Sequence, residues 1–106
     1  MPERWADEEG GVSTQQETQQ KIDVPRMYKV LLHNDNYTTM DFVVMVLVRV
    51  FRKSEAEAIR IMLDVHQKGI GRVGVYPREI AETHVERVRQ LAQEHEFPLM
   101  CTMEPE

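Results

Sequence analysis

Residues 42–51 read FVVMVLVRVF, and this nearly continuous apolar run is the feature that most constrains the fold. Its β-branched residues favour a strand, whereas its length exceeds the ~5–6 residues of an ordinary strand and favours a helix. We predict a buried helix over residues 40–52. A helix that is apolar on every side belongs in the interior of a protein, so the chain needs other elements to cover it.

The remaining sequence predicts three strands and two more helices. β-Rich stretches indicate strands at about 26–33, 70–76 and 98–103, and helical patterns fill most of the chain between them. So few strands cannot bury both faces of a sheet. We therefore predict an α+β fold, a small β-α-α-β-α-β two-layer sandwich in which three helices cover one face of a three-stranded, mainly antiparallel sheet.

Local signals mark the ends of the first two helices. Thr38 and Asp41 match a capping box at the start of the first helix, and Ser54 and Glu57 match one at the start of the second. Gly69 stands just after the last turn of the second helix, where a glycine commonly ends a helix. These signals predict a polar loop before each of the two helices.

The third helix is predicted between Pro77, at its first position, and the pair Phe97-Pro98, which stops it. Its buried stripe is expected to consist of Ile80, Val85, Val88 and Leu91. Gly71 and Gly74, in the strand before this helix, indicate a bend or a close approach of another chain.

Length and charge limit the possible functions. A chain of 106 residues has room for one domain, which we place at residues 26–106. Residues 1–25 hold few large apolar groups and are predicted to form a flexible arm or, alternatively, an end without a role.

The net charge of −5, with scattered basic residues, argues against a nucleic-acid partner. No run approaches the ~20 apolar residues of a membrane span, and the polar N-terminus is unlike a signal peptide, so we expect a cytoplasmic protein.

Catalytic motifs are missing from the sequence: it holds no GxSxG, GxGxxG, P-loop or HExxH pattern. The single cysteine, Cys101, allows no internal disulfide and is expected to be a buried structural thiol. His33, Asp35 and His66 could ligate a metal, but their number and spacing match no known metal motif. We expect no enzyme activity, no cofactor and no metal, and keep a small metal-dependent hydrolase as an alternative.

The polar break at residues 33–36 (HNDN) raises the question of a ligand. Asn34, Asp35 and Asn36 offer carbonyl and carboxylate oxygens, which accept hydrogen bonds and suit an ammonium group. Helical spacing places two further residues on one face of the second helix, and two others begin the first helix. Together these four residues could form a small apolar pocket with a polar rim that accepts an ammonium: Met62, His66, Met40 and Val43. The alternative is ordinary turn chemistry beside ordinary core residues.

Four segments, PRMYKVLLHNDNYTTMDFVV, MLDVHQKG, GVYPREIAETHVERV and HEFPLMCTMEPE, resemble ClpS, the adaptor family that delivers N-degron proteins to the Clp AAA+ protease. The resemblance covers residues 25–106 in register. It implies a non-enzymatic adaptor that binds substrates whose first residue is Phe, Tyr, Trp or Leu. The adaptor would hand them to a ClpA-type unfoldase for degradation by ClpAP.

The resemblance implies two sets of binding residues. The free α-ammonium of the substrate would be held by Asn34, Asp35, Asn36 and His66. The first side chain would fill an apolar pocket, in which Met40 matches the gatekeeper that rejects β-branched first residues. The residues of that pocket are Thr38, Met40, Val43, Met62, Val65 and Leu99.

The resemblance also implies surfaces for partners. Glu79 and His84 fall on the family's docking surface for the N-terminal domain of the unfoldase, and the arm at 1–25 resembles an extension that helps to hand over cargo. We expect a monomer whose partners are the unfoldase and N-degron substrates, with no nucleic acid and no membrane.

Three residues depart from the family's common pattern. Asn36 and Thr39 stand where that pattern has an aspartate and a proline, and His84 stands where a lysine is common. Asn36 is expected to weaken the attraction for an ammonium, and Thr39 to loosen the start of the first helix. His84 is expected to weaken docking or make it pH-sensitive. A docking module that binds the unfoldase without recognising N-degrons is therefore a second alternative.

Overall fold

The fold is that of a computed structural model, which describes residues 25–106. Six elements follow one another in the order strand, helix, helix, strand, helix, strand. They are β1 (Met27–His33), α1 (Met40–Arg49), α2 (Glu55–Lys68), β2 (Ile70–Pro77), α3 (Arg78–Glu94) and β3 (Met100–Pro105). The predicted arm at 1–25 lies, apart from Pro25, outside the described residues.

The sheet is antiparallel throughout, in the order β2-β1-β3, so the central strand β1 pairs with both others. Alternation along β1 buries Val30 and Leu32 completely on the face that meets the helices. The predicted α+β sandwich, with three helices on one face of a three-stranded sheet, is confirmed. Within residues 25–106, the helices are too short and too polar to cross a membrane.

The apolar run forms a buried helix, α1, as predicted. Its N-cap, however, is Thr39 rather than Thr38. The Thr39 hydroxyl accepts a 3.1 Å hydrogen bond from the backbone N–H of Phe42. The Thr38 hydroxyl instead faces the preceding loop, where it donates to Asp35 Oδ2 at 2.7 Å. The predicted capping box of Thr38 and Asp41 is therefore wrong by one residue at its N-cap, which is Thr39. The Thr38 hydroxyl is bonded to the Asp35 carboxylate in the preceding loop.

Helix α1 also ends earlier than predicted, at Arg49 instead of residue 52. The chain turns at Arg52, whose φ of +57° lies in the left-handed region. Helix α2 begins and ends as predicted. The Ser54 hydroxyl accepts from the Glu57 N–H at 3.2 Å, and Gly69, with φ of +88°, forms the left-handed cap after the last turn.

Helix α3 begins one residue later than predicted, because Pro77 is still paired with Met27 in the sheet and serves as the N-cap. Its apolar stripe is also shifted: Ile80, predicted to be buried, is 48% exposed, whereas Ala81 is completely buried. The helix ends at Glu94, ahead of the predicted stop. The chain then reverses at Glu96 (φ +60°), and β3 runs over 100–105 instead of 98–103.

Strand β2 approaches helix α2 very closely at Gly71. A Cβ built at this position would lie 2.4 Å from Val65 Cγ2 and 3.2 Å from the Ile61 carbonyl oxygen. Only glycine fits there without movement of one of the two elements. The close approach at Gly71 is thus made by helix α2 of the same chain and not by another chain, and the contact fixes the position of Val65 relative to the sheet.

Candidate functional site

A cavity of about 360 Å³ opens where the loop after β1, the start of α1 and the end of α2 meet. Nine residues line it, all from the ten predicted from the sequence to hold a substrate's first residue. One side of the cavity is apolar and the other carries amide, carboxylate and imidazole groups. The lining residues are Asn34, Asp35, Asn36, Thr38, Met40, Val43, Met62, Val65 and His66.

Asp35 organises the loop between β1 and α1. Its Oδ1 accepts hydrogen bonds of 2.7 Å from the backbone N–H groups of Tyr37 and Thr38, and its Oδ2 accepts one of 2.7 Å from the Thr38 hydroxyl. Partial burial acts to raise the pKa of this carboxyl, but the bonds from Thr38 and Tyr37 outweigh it and lower the pKa. The carboxylate is thus ionised, and its geometry is fixed by the loop itself.

The loop is also tied to the end of α2. The backbone N–H of Asn34 donates a 2.9 Å hydrogen bond to the carbonyl of Gly69, which caps that helix. This bond brings the first residue of the loop beside the last turn of α2, which carries His66. The C-terminal end of a helix also has partial negative charge, so the backbone here favours a cation.

Three exposed side chains form the polar rim of the cavity: Asn34, Asn36 and His66. Among residues 25–106, no partner takes up the hydrogen-bonding atoms of these three side chains, in contrast to those of Asp35. Two amide oxygens and, in the neutral imidazole, one ring nitrogen are therefore free to accept hydrogen bonds from a ligand.

The apolar wall of the cavity combines rigid and adaptable side chains. Val43 and Val65 are almost completely buried, at 5% and 2% exposure, and belong to the hydrophobic core. Met62 is partly buried against the same core, while Met40 is 44% exposed at the first turn of α1. The valines fix the depth of the cavity, and the unbranched methionines can adjust to what enters it.

Leu99 is the one predicted pocket residue that does not line this cavity. It is buried just before β3 and instead lines a second, more apolar groove of about 460 Å³ between α3 and β3. Leu99 packs in the core where the chain returns from α3 to the sheet, and its assignment to the first cavity stays a prediction.

The two residues predicted to dock an unfoldase lie on α3, away from the cavity lining. Glu79 is exposed in the first turn of the helix. His84 is partly buried, with its ring 4.9 Å from that of Phe51 and 4.8 Å from that of Tyr76 between centroids. Burial, and then the charge of Arg87, lower the pKa of His84. His84 is thus part of an aromatic cluster rather than a freely presented surface group.

The alternative metal site does not form. His33 Nε2 lies 2.7 Å from the Thr102 hydroxyl across the β1–β3 pair, and the Asp35 oxygens are engaged in the loop. No cluster of three or more His, Cys, Asp or Glu side chains arranged for a metal occurs in the 25–106 range. Burial raises the pKa of Cys101 to about 12, which keeps its thiol protonated and unreactive.

The sequence profile described as "ATP-dependent Clp protease adaptor protein ClpS" matches residues 23–102 of this chain. The chain belongs to the ClpS family. ClpS proteins are adaptors of the Clp protease, so the protein is an adaptor and not an enzyme.

Individual ClpS proteins are similar over nearly the whole chain. The ClpS of Desulfatibacillum aliphaticivorans is 62% identical over 90 residues, covering 85% of this chain and 86% of that protein. The ClpS of Myxococcus xanthus is 54% identical over 95 residues, covering 90% and 89%. Among solved structures, Agrobacterium tumefaciens ClpS2 bound to L-phenylalaninamide matches with a TM-score of 0.76 and 47% identity, covering 78% of this chain and all of that one.

Proposed function

We propose that the cavity binds the first residue of proteins that begin with Phe, Tyr, Trp or Leu, and that the adaptor delivers these proteins to a ClpA-type unfoldase. The observation that carries the proposal is the meeting of an apolar wall and a free acceptor rim in one cavity. Such a cavity can test two properties of a ligand at once, its charge and its side chain.

The polar rim selects a free chain start. An α-ammonium group carries a positive charge and three N–H donors, which match the oxygens of Asn34 and Asn36 and the neutral ring of His66. Acetylation removes the charge and two of the donors. The rim would then lose water without gaining partners, and unpaired polar groups cost roughly 1–3 kcal/mol each.

The apolar wall selects the side chain. Burying a large apolar side chain against Val43, Val65 and the two methionines is favourable by roughly 1.5–3 kcal/mol. A small first residue such as alanine leaves most of the wall in contact with water and gains little. Both the rim and the wall are therefore needed for tight binding.

The solved ClpS2 structure supports the same choice of ligand, because L-phenylalaninamide combines a free α-amino group with a benzyl side chain. These are the two groups for which the rim and the wall of the present cavity are suited. An amide in place of the carboxylate also resembles the way in which a polypeptide continues after its first residue.

Peptide binding tests the proposal. Fluorescence anisotropy should show binding of a labelled peptide that starts with Phe, and at least about ten-fold weaker binding of its N-acetylated form and of a form starting with Ala. Equal binding of all three peptides would overturn the proposal. Binding to the unfoldase without binding to any of these peptides would instead support the docking module.

Delivery is the second part of the proposal and concerns different residues. We place docking to the N-terminal domain of the unfoldase at the surface of Glu79 and His84, and hand-over of cargo at the arm of residues 1–25. Under this proposal a monomer acts in the cytoplasm on one substrate at a time. A Glu79→Lys variant should lose the unfoldase but keep the Phe peptide, which separates docking from recognition.

A further inference from the structure

Two thioethers form half of the apolar wall of the cavity. Met40 and Met62 stand opposite two valines that cannot be oxidised under mild conditions. The two methionines differ in access to solvent: Met40 is 44% exposed, whereas Met62 is partly buried against the core. An oxidant arriving from solution therefore meets Met40 first.

Oxidation of a methionine changes the character of such a wall. The sulfur lone pair attacks one oxygen of hydrogen peroxide and forms an S–O bond. The O–O bond breaks, and the second oxygen leaves as water. The sulfur is oxidised and the peroxide is reduced. The product is a polar, chiral sulfoxide with a strong acceptor oxygen in place of a flexible apolar group.

We propose that Met40 is a site of reversible oxidation by hydrogen peroxide, and that the sulfoxide closes the cavity to apolar first residues. This rests on the proposed function, because it concerns the same wall. An apolar side chain entering the oxidised cavity would remove water from the sulfoxide oxygen without offering it a donor, which is costly. We expect the affinity for a Phe peptide to fall about ten-fold or more.

Apart from Met40 and Met62, no sulfur-containing residue of the described range lines the cavity. Cys101 holds its thiol protonated, since burial raises its pKa to about 12, and a thiol reacts far more slowly than a thiolate. Met100 is 56% exposed and should oxidise readily, but it lines the groove between α3 and β3 and not the cavity. Oxidation of Met100 therefore provides an internal control that should leave peptide binding unchanged.

The experiment uses the full chain and limited hydrogen peroxide, with sulfoxides located by peptide mass mapping. Met40 and Met100 should oxidise faster than Met62, and Cys101 should stay reduced. A saturating Phe peptide should protect Met40 but not Met100. Oxidation of Met62 ahead of Met40 would overturn the proposal without reference to any binding measurement.

Binding is then measured on the same material. Partly oxidised protein is passed over an immobilised Phe peptide, and the unbound fraction should be enriched in Met40 sulfoxide. The two sulfoxide reductases, one for each sulfoxide epimer, with dithiothreitol as the reductant remove the oxygen as water and should restore binding. Equal Met40 sulfoxide in the bound and unbound fractions would overturn the proposal. Failure of the untreated protein to bind would instead count against the proposed function.

Two leucine variants serve as matched controls, each compared with itself before and after peroxide. Met40→Leu keeps an apolar side chain of similar volume without the sulfur and should lose most of the ten-fold response, whatever its starting affinity. Met100→Leu should respond as the original protein does. A Met40→Leu variant that is as sensitive as the original protein would contradict the assignment to Met40.

Discussion

The Asp35 carboxylate is held by its own loop, and we propose that it serves binding by positioning that loop. All three of its hydrogen bonds go to Tyr37 and Thr38, groups of its own loop. We therefore expect Asp35 to position Asn34 and Asn36, its neighbours in the sequence.

An Asp35→Ala variant should bind the Phe peptide at least about ten-fold more weakly, because all three bonds are lost. Asp35→Asn should bind only about three-fold more weakly, since the amide oxygen can still accept from the two N–H groups and the Thr38 hydroxyl can accept from the amide. Anisotropy titrations check both values. Asp41→Asn, an exposed change in the next turn, is the control, and equal losses for Ala and Asn would show that the charge acts directly.

His84 predicts a pH dependence of stability. Its pKa is lowered in the folded protein by burial and then by Arg87, so the unfolded chain takes up a proton at a higher pH than the folded chain does. Stability should therefore fall as the pH drops from the ordinary histidine range, about 6.5, through the lower pKa of the folded state. Thermal unfolding at pH 8 and pH 5 should show a smaller difference for His84→Gln than for the original protein.

The contact between β2 and α2 links the stability of the fold to the shape of the cavity. Gly71→Ala should destabilise the protein by about 1–3 kcal/mol, because the new methyl group overlaps Val65 and must push the strand and the helix apart. Val65 also lines the cavity, so peptide affinity should fall as well. Denaturant unfolding and anisotropy measure the two effects.

Gly74→Ala is the matched control in the same strand. A Cβ at Gly74 would meet the hydroxyl end of the Tyr76 side chain at 2.8 Å, and not a core side chain or the backbone of another element. The tyrosine can move at its free end, so this variant should be less destabilised and should keep its peptide affinity. An equal loss of affinity in both variants would contradict the role given to Val65.

The sequence predicted the elements well and their ends less well, for identifiable reasons. Ser54 and Gly69 gave clear signals, and α2 begins and ends as predicted. Helices α1 and α3 are each followed by a turn at Arg52 and Glu96, which hold left-handed backbone without being glycine. Since neither residue type is a usual stop signal, nothing in the sequence marked those ends. Ile80 was misplaced because small Ala81 takes the buried position.

The cavity itself is a property of the whole molecule, because its lining comes from three separate segments. Helical spacing predicted that Met62 and His66 share a face, and the polar break predicted a loop of acceptors. The residues alone allowed a pocket in which the two meet, and the resemblance to ClpS favoured it over ordinary turn chemistry, since no local pattern encodes the bond from Asn34 to the cap of α2. Leu99 was assigned by the same resemblance, and the structure places it in the neighbouring groove.

The division of labour between arm and domain gives the last prediction. All nine residues that line the cavity lie between positions 34 and 66, so removing residues 1–24 should change the affinity for a Phe peptide by less than about two-fold. Under the proposed function the same deletion should strongly slow degradation of an N-degron substrate by ClpAP, because the arm is assigned to hand-over. Peptide anisotropy and a degradation assay with purified components measure the two properties separately.

The Glu79→Lys variant distinguishes the two ways in which delivery could fail. It should lose binding to the isolated N-terminal domain of the unfoldase, whereas the truncated chain should keep that binding and still fail to deliver. A truncated chain that degrades substrate at the original rate would remove the arm from the mechanism. A truncated chain with weakened peptide binding would show that residues 1–24 contribute to the cavity, and recognition and delivery would then no longer be separable parts of the molecule.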